Sequence, residues 1–337
     1  MKIIFDLRNV GLGNQGGSST LVKSGNTLVK MGHEVIFIDS GKNQHTWDKL
    51  LADHKIIKNQ SQVPNADFII ATGYKSVSET CLAPKAAGIK CHWIRGWEQW
   101  QGSETWIINK ILKSPTIKLV NGICLQKKLK SFGIGSYLIR PGYDFENFTI
   151  MNLRTDRNCL VIGGLNKQSK HVNTKRTAWV FETVKGLKRK YGNKIKLWMF
   201  GMDNLPTGAV VDHYVKNPTI HEKNILYNNV DIWLATSMLE GLHIPPAEAM
   251  MTECCVVGTN AELSGTEDYL VNNETGIVSN NDLNSFIYEV DKLSQNKNLR
   301  KLLGKNARNK ILELGNRKQN MQILIDLFSN LKEQDDL

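Results

Sequence analysis

Met238-Leu-Glu-Gly-Leu-His-Ile-Pro-Pro-Ala-Glu-Ala-Met-Met251 is the stretch from which the fold of this chain is read. It lies between Asp231-Ile-Trp-Leu-Ala-Thr236 and Cys254-Cys-Val-Val-Gly258, two short apolar segments whose side chains favour strands. The stretch therefore joins two strands. Pro245 and Pro246 suit the first turn of a helix, where a missing N–H costs little, and Ala247 to Met251 are good helix formers. Glu240 is thus expected in the loop leaving one strand, and Glu248 in the first turn of the helix that follows.

Ligands of open α/β sheets gather at the carboxyl ends of the strands, where the backbone N–H groups of Gly241, Leu242 and His243 are also expected to point inward. Two carboxylates placed this way can each hold a different diol of one ligand. Taken alone, the pair equally fits a helix-dipole partner and a solvated loop residue.

The whole phrase says more. It resembles the Glu-x7-Glu signature of the retaining glycosyltransferases of family 4, which have the glycosyltransferase-B (GT-B) fold. Glu240, Gly241, Pro245, Glu248, Ala249 and Met250 match, while Leu242, His243 and Pro246 are variants. The resemblance implies an α/β chain of two Rossmann-like β/α/β domains facing each other across a cleft. Residues 1–148 would form an acceptor domain and 149–315 a nucleotide-sugar-binding domain, with a helix over 316–337 packing back toward the first. It also gives Glu240 the hydroxyls of the donor sugar and Glu248 the nucleotide ribose.

The bulk numbers agree with such a chain. Its 337 residues suffice for two domains with their own cores, and 41% hydrophobic with 22% charged residues is a globular composition. The opening Met1-Lys-Ile-Ile-Phe-Asp6 meets an acid after three apolar residues, so no signal peptide is read there, and no apolar run approaches a bilayer span. A cytoplasmic location is expected, at the inner face of the membrane if the chain docks there. The six cysteines show neither a C-x-x-C pair nor a regular spacing, which argues against zinc or a disulfide framework. A net charge of +11 attracts polyanions: nucleic acid, anionic lipid, or a diphosphate-bearing substrate.

Along the chain, Lys2-Ile-Ile-Phe-Asp6 is a strand followed by the glycine-rich Gly11-Leu-Gly-Asn-Gln-Gly-Gly-Ser-Ser19 and a helical pattern ending at Gly32. Glycines there let a ligand phosphate approach the backbone and the positive end of a helix. Gly16 and Gly17 resemble the pair that such transferases place under the donor diphosphate. Further strands at His33–Asp39, Asp67–Ala71 and Ile89–Ile94, with a helical stretch over Ser76–Gly88, imply a parallel sheet. Asp39, ending the second strand, keeps a dinucleotide site open as an alternative.

Residues 93–106 carry Trp93, Trp97, Trp100 and Trp106 among Arg95, Glu98, Gln99 and Gln101. Rings beside amides and charges can stack on sugars or sit at a membrane interface, and core packing is the plain alternative. Arg95, Trp97 and Glu98 are the acceptor candidates. From Trp106 to Lys130 an amphipathic, lysine-edged segment, including Lys118, Lys127 and Lys130, is read either as a solvated helix face or as a rest for an anionic bilayer. No nucleic-acid-binding motif accompanies the charge, so none is expected as partner.

Ile139-Arg-Pro-Gly-Tyr-Asp-Phe-Glu-Asn-Phe148 resembles the segment that closes the first domain of these transferases. Cys159–Ile162 then opens a second strand, with Gly163-Gly164-Leu165 read as its turn and the helix of Trp179, Val180, Val184 and Leu187 beyond it. By resemblance Gly163 is a donor-binding position. Gly164 stands where the family has an Arg, so Lys175 and Arg176 are the expected replacements and Lys170 the next. Cations are needed because departure of a nucleoside diphosphate develops charge.

The resemblance therefore implies metal-independent, retaining transfer from a nucleotide sugar, UDP- or GDP-linked, to a glycan or lipid-linked acceptor. No cofactor is implied. Two alternatives remain at this level: a GT-B-like sugar-nucleotide epimerase, and a non-catalytic sugar-nucleotide or polyanion binder.

Overall fold

The structure is a computed structural model, which describes residues 1–13, 16–41, 49–154, 157–168 and 174–335. The chain divides into two compact units, Met1–Gly142 with Asn316–Leu337, and Tyr143–Gly315.

In the first unit the elements run β1 (Lys2–Asp6), α1 (Gly16–Lys30), β2 (Glu34–Asp39), β3 (Asp53–Ile56), β4 (Phe68–Ala71), α2 (Tyr74–Cys81), β5 (Ile89–Ile94), α3 (Glu104–Trp106), β6 (Ile117–Val120), α4 (Ile123–Ser131) and β7 (Tyr137–Leu138). Among the described residues they form a seven-stranded sheet in the order β3-β2-β1-β4-β5-β6-β7. All pairs are parallel, with Ile3 set against both Val35 and Phe68. The inner strands read as continuous apolar runs because both sheet faces are covered. Phe5 stacks on Phe37 at 5.1 Å and both are fully buried.

Two expectations change here. The helix expected over 76–88 stops at Cys81 and resumes only as a 3₁₀ turn, Lys85–Ala87. Pro84 between them lacks an N–H and disfavours helix in the residue before it. The segment Trp106–Lys130 is not one amphipathic helix, since α3 passes into a π-helical turn, Ile107–Leu112, and β6 then intervenes. Lys118 sits in β6, buried, with its Nζ donating to the Ser114 and Thr116 carbonyls at 2.7 Å, so it offers no charge to a bilayer.

The second unit contains β8 (Leu160–Asn166), α5 (Thr177–Tyr191), β9 (Ile195–Gly201), β10 (His213–Lys216), α6 (Ile220–Asn229), β11 (Ile232–Ala235), α7 (Ile244–Met251), β12 (Cys255–Thr259), β13 (Ile277–Ser279), α8 (Leu283–Ser294) and α9 (Lys297–Glu313). Its sheet, ordered β10-β9-β8-β11-β12-β13, is again parallel throughout. Tyr227, Trp233 and Phe200 make an aromatic knot with ring centroids 5.0–5.9 Å apart. Each such side chain contributes about 1.5–3 kcal/mol by burial. A capping box of Thr219 and Glu222 fixes the start of α6.

Gly163-Gly164-Leu165 is not a turn. All three lie inside β8, with Gly163 level with Trp198 on one side and Trp233 on the other. A Cβ on Gly163 would fall 2.7 Å from Trp233 and Val230, and one on Gly164 2.7 Å from Val180 of α5. These glycines admit bulky neighbours onto the strand. Gly163 is therefore a packing residue in the sheet, and the expected donor-binding place for it is corrected.

After Gly315 the chain returns to the first unit as α10 (Arg317–Asp335). Phe328 stacks on Phe68 with centroids 3.8 Å apart, and Lys332 pairs with Asp67 at 2.6 Å. Gly142 has φ +75°, and a Cβ there would come within 2.5 Å of the Arg317 Cα, so only glycine lets the outgoing and returning segments lie this close. Among the described residues no helix is long and apolar enough to cross a membrane.

Candidate functional site

Three loops at the carboxyl ends of adjacent strands build the site of the second unit: the one from β8 into α5, the one from β11 into α7, and the one after β12. A parallel sheet places such loops on the same edge. The first two are tied together by Met238 N–H donating to the Thr174 carbonyl at 2.9 Å and the Thr236 hydroxyl donating to the Lys175 carbonyl at 2.8 Å. The third lies on the second through Glu240 N–H to the Leu263 carbonyl, 2.7 Å, and His243 N–H to the Gly265 carbonyl, 2.9 Å. Gly265 has φ +70°, and a Cβ on it would sit 2.6 Å from the Glu240 Cβ, so the approach of the two loops depends on glycine here.

Within this frame Lys175 Nζ donates to Glu240 Oε1 in a short ion pair. Burial alone would raise the Glu240 carboxyl, but Lys175 and then His243 beside it hold it below the ordinary carboxylate range. His243 Nε2 stands 3.7 Å from the same oxygen. Burial pushes the His243 imidazole down to about 4, Glu240 opposing and Lys175 reinforcing, so the ring is neutral at pH 7. Its carbonyl accepts from the Tyr269 hydroxyl at 2.5 Å, and its buried Nδ1 meets no hydrogen-bond partner among the described residues. The result is a charged pair beside a neutral ring with one polar atom unused.

Glu248 forms a separate cluster. It is the fifth residue of α7, one turn deeper than expected, because His243 caps the helix and Ile244, Pro245 and Pro246 fill the first turn. It is buried, and Lys223 Nζ of α6 donates to its two oxygens at 2.9 and 3.0 Å while the Tyr227 hydroxyl donates at 2.9 Å. Neither Lys223 nor Tyr227 was singled out in the sequence. Their i, i+4 spacing on an expected helix was the available signal, since it puts both on one face.

The remaining candidates divide. Arg176 leaves its neighbour: it caps α5 in a left-handed conformation at φ 50°, lies over the Trp179 ring at 4.3 Å and donates to Asn281 Oδ1. Lys170 lies outside the described residues. Gly241 and Leu242 occupy the loop ahead of α7, but the His243 N–H expected to point at a ligand is spent on Gly265.

In the first unit Gly16 and Gly17 begin α1, and a Cβ on Gly16 would meet nothing within 4 Å. Arg95 Nη1 donates to the Gly17 carbonyl, and Nη2 to the Thr72 carbonyl at 2.6 Å. Arg95 thus fixes the glycine turn against the end of β4. Glu98 Oε2 accepts from Tyr74 N–H at 3.3 Å. Trp97, expected to offer its face to an acceptor, is 4% exposed and stacked on Phe132 at 6.0 Å with Lys128 above it. Its ring is packed because the chain after β5 folds onto α4; of the four tryptophans in this segment, Trp100 is the most exposed. His92, in β5, is fully buried, neither ring nitrogen bonded among the described residues, and is pushed down to about 3 by burial, then by Lys118 and Arg95.

Comparison with known proteins bears on this geometry. The family model for glycosyl transferases group 1 matches residues 169–310. The capsular polysaccharide biosynthesis glycosyltransferase CapM of Staphylococcus aureus is 26% identical over 212 residues, 57% of this chain and 53% of that protein. The match thus spans about half the length of CapM. Among solved structures, sucrose-phosphate synthase from Thermosynechococcus elongatus superposes with a TM-score of 0.77 at 14% identity, covering 99% of each chain. Anabaena HepE in complex with UDP and glucose gives 0.75 at 13%, covering 98% of this chain and 100% of the other. At such identities the likeness is one of fold, that of the GT-B glycosyltransferases. The match to the glycosyl transferases group 1 model thus falls within the second unit, in a chain of GT-B fold.

Proposed function

We propose that this protein transfers a sugar from a nucleoside-diphosphate sugar to a glycan or lipid-linked acceptor, with retention at the anomeric carbon and without a metal ion. The observation that carries the reading is the Lys175–Glu240–His243 group at the carboxyl edge of the sheet, inside the segment matched by the family model. A UDP-linked donor is favoured because HepE, of the same fold, was solved with UDP and glucose.

In this reading the bond from the anomeric carbon to the diphosphate oxygen breaks, and its electron pair leaves with the phosphate. Lys175, partly buried, offsets the charge that develops there, which a cation at lower dielectric does better than one in bulk solvent. The acceptor hydroxyl attacks the anomeric carbon from the same face, and its proton passes to the departing phosphate oxygen. Glu240, ionised under Lys175, accepts from the sugar hydroxyls, and His243 Nδ1 is the buried polar atom left to meet them. Glu248, held on α6, takes the ribose hydroxyls. Arg176, at the head of α5, assists with the diphosphate once released from Asn281. The acceptor is assigned to the first unit, and contact with an anionic membrane at the cytoplasmic face to the exposed Lys127 and Lys130 of α4.

The test is a product assay with UDP-, GDP- and ADP-sugars and a panel of acceptors, in the presence of EDTA, reading the anomeric configuration by NMR. Lys175→Ala and Glu240→Ala should each lower turnover about 10²–10³-fold. An inverted product, activity that EDTA abolishes, or full turnover in Glu240→Ala would each remove part of the reading. Product formed without an acceptor would mark an epimerase instead.

A further inference from the structure

The same unit has a second concave feature at the other edge of its sheet. A cavity of about 340 Å³ opens where Leu160 starts β8, Ile195 starts β9 and Asp231 precedes β11, closed on one side by the junction of α8 and α9. That size is at the small end of ligand pockets. The seven residues of β8 put it roughly 20 Å from the carboxyl edge that holds Lys175 and Glu240.

Its lining is strongly cationic. Among the described residues of the lining, Arg154, Arg157, Lys194, Lys297 and Arg300 stand with one carboxylate, Asp231. Asp231 is already engaged, accepting from Arg157 at 3.1 Å and from Val161 N–H at 2.8 Å. Arg154 is spent on the Tyr227, Val230 and Thr252 carbonyls, which fixes it as a wall of the cavity. Lys194 and Lys297 are exposed and make no ion pair among the described residues, whereas Arg157 Nη1 is bound to the Asn229 carbonyl at 2.7 Å. Arg300 donates through Nη1 to the last carbonyls of α8.

The position of two of these cations is unfavourable by itself. Lys297 and Arg300 fall in the first turn of α9, which has no acid, so positive side chains gather at the positive end of a helix dipole. An anion seated among them converts that repulsion into attraction, and a small concave site suits a compact anion better than a polymer.

We propose that this cavity is a phosphate-binding site, distinct from the donor site, that takes a phosphate or diphosphate group carried by a small molecule or by a lipid headgroup. Lys194 and Lys297 supply the exposed charges and Arg300 the fixed donor, while Arg157, held on Asn229 and Asp231, adds its charge to the wall.

Titration calorimetry with inorganic pyrophosphate at low ionic strength tests it on the full chain. Lys175→Ala, which removes the donor-edge cation, should leave one pyrophosphate equivalent, and the double variant K194E/K297E in that background should weaken it about tenfold or more. Pyrophosphate should also shift the amide resonances of Leu160 and of Lys297–Arg300. Unchanged affinity in K194E/K297E, or loss of all pyrophosphate binding in Lys175→Ala, would overturn the site without touching the transferase reading. Flotation with phosphatidylglycerol vesicles separates the sources. Flotation lost in K194E/K297E puts the phosphate on a lipid, whereas pyrophosphate binding without flotation puts it on a soluble molecule.

Discussion

The two units open with the same words and mean different things by them. Each begins with an apolar strand, a pair of glycines and a helix, yet Gly16-Gly17 lie at the head of α1 while Gly163-Gly164 lie inside β8. A Cβ on Gly16 meets open space, whereas one on Gly163 would strike Trp233 and Val230 at 2.7 Å. In the first unit Gly16 leaves the backbone open while Gly17 makes room for Arg95; in the second the pair makes room for the core side chains of Trp233, Val230 and Val180. A glycine pair in sequence reports that side chains are unwelcome, and only the neighbours say whether the space goes to a ligand or to the protein.

That contrast can be broken by substitution. Gly163→Val should have the largest effect, lowering unfolding free energy by about 3 kcal/mol, because a strand packed on both faces cannot yield. Chemical denaturation checks it, and a neutral outcome would return Gly163 to the surface. Next comes acidity, where each unit hides one neutral histidine, His92 pushed to about 3 and His243 to about 4. Between those values and the ordinary 6.5 the unfolded chain takes up a proton that the folded chain refuses. Stability should therefore be full above pH 6.5 and fall as pH drops below it, by up to about 1.4 kcal/mol per pH unit for each ring. His92→Phe and His243→Phe should each remove about half of that slope between pH 6 and 5; a slope unchanged in the double variant would count against buried neutral rings.

Smaller effects separate the two glycines of the first unit. Gly17→Ala places a Cβ 3.1 Å from the Arg95 guanidinium, which is anchored on the Gly17 and Thr72 carbonyls and has little room to move. About 1 kcal/mol of destabilisation is expected in a thermal melt. Gly16→Ala should stay within about 0.5 kcal/mol of the parent in the same melt, since its Cβ touches nothing. A reversed order would mean that Arg95 does not fix this turn.

Much of the fold could be read from the chain because its signals are local. Strands such as Phe68–Ala71 and Ile232–Ala235 are buried on both faces and so are apolar at every position, and α6 carries its capping box in Thr219 and Glu222. Glu240 and Lys175 were legible as candidates because the family resemblance pointed to both, although 65 residues separate them. Their meeting depends on the strand order β8-β11-β12, which brings the three loops to one edge.

What the sequence determined alone was the alternation of strand and helix and the parallel sheets that follow from it, because periodicity and turn chemistry act within a few residues. Tertiary structure alone decided that Gly163 packs and does not turn, that Trp97 is covered by Phe132, that Lys118 is buried, and that Glu248 answers to Lys223 and Tyr227. Each of those outcomes is set by a neighbour distant in the chain, and burial and pairing are properties of neighbours.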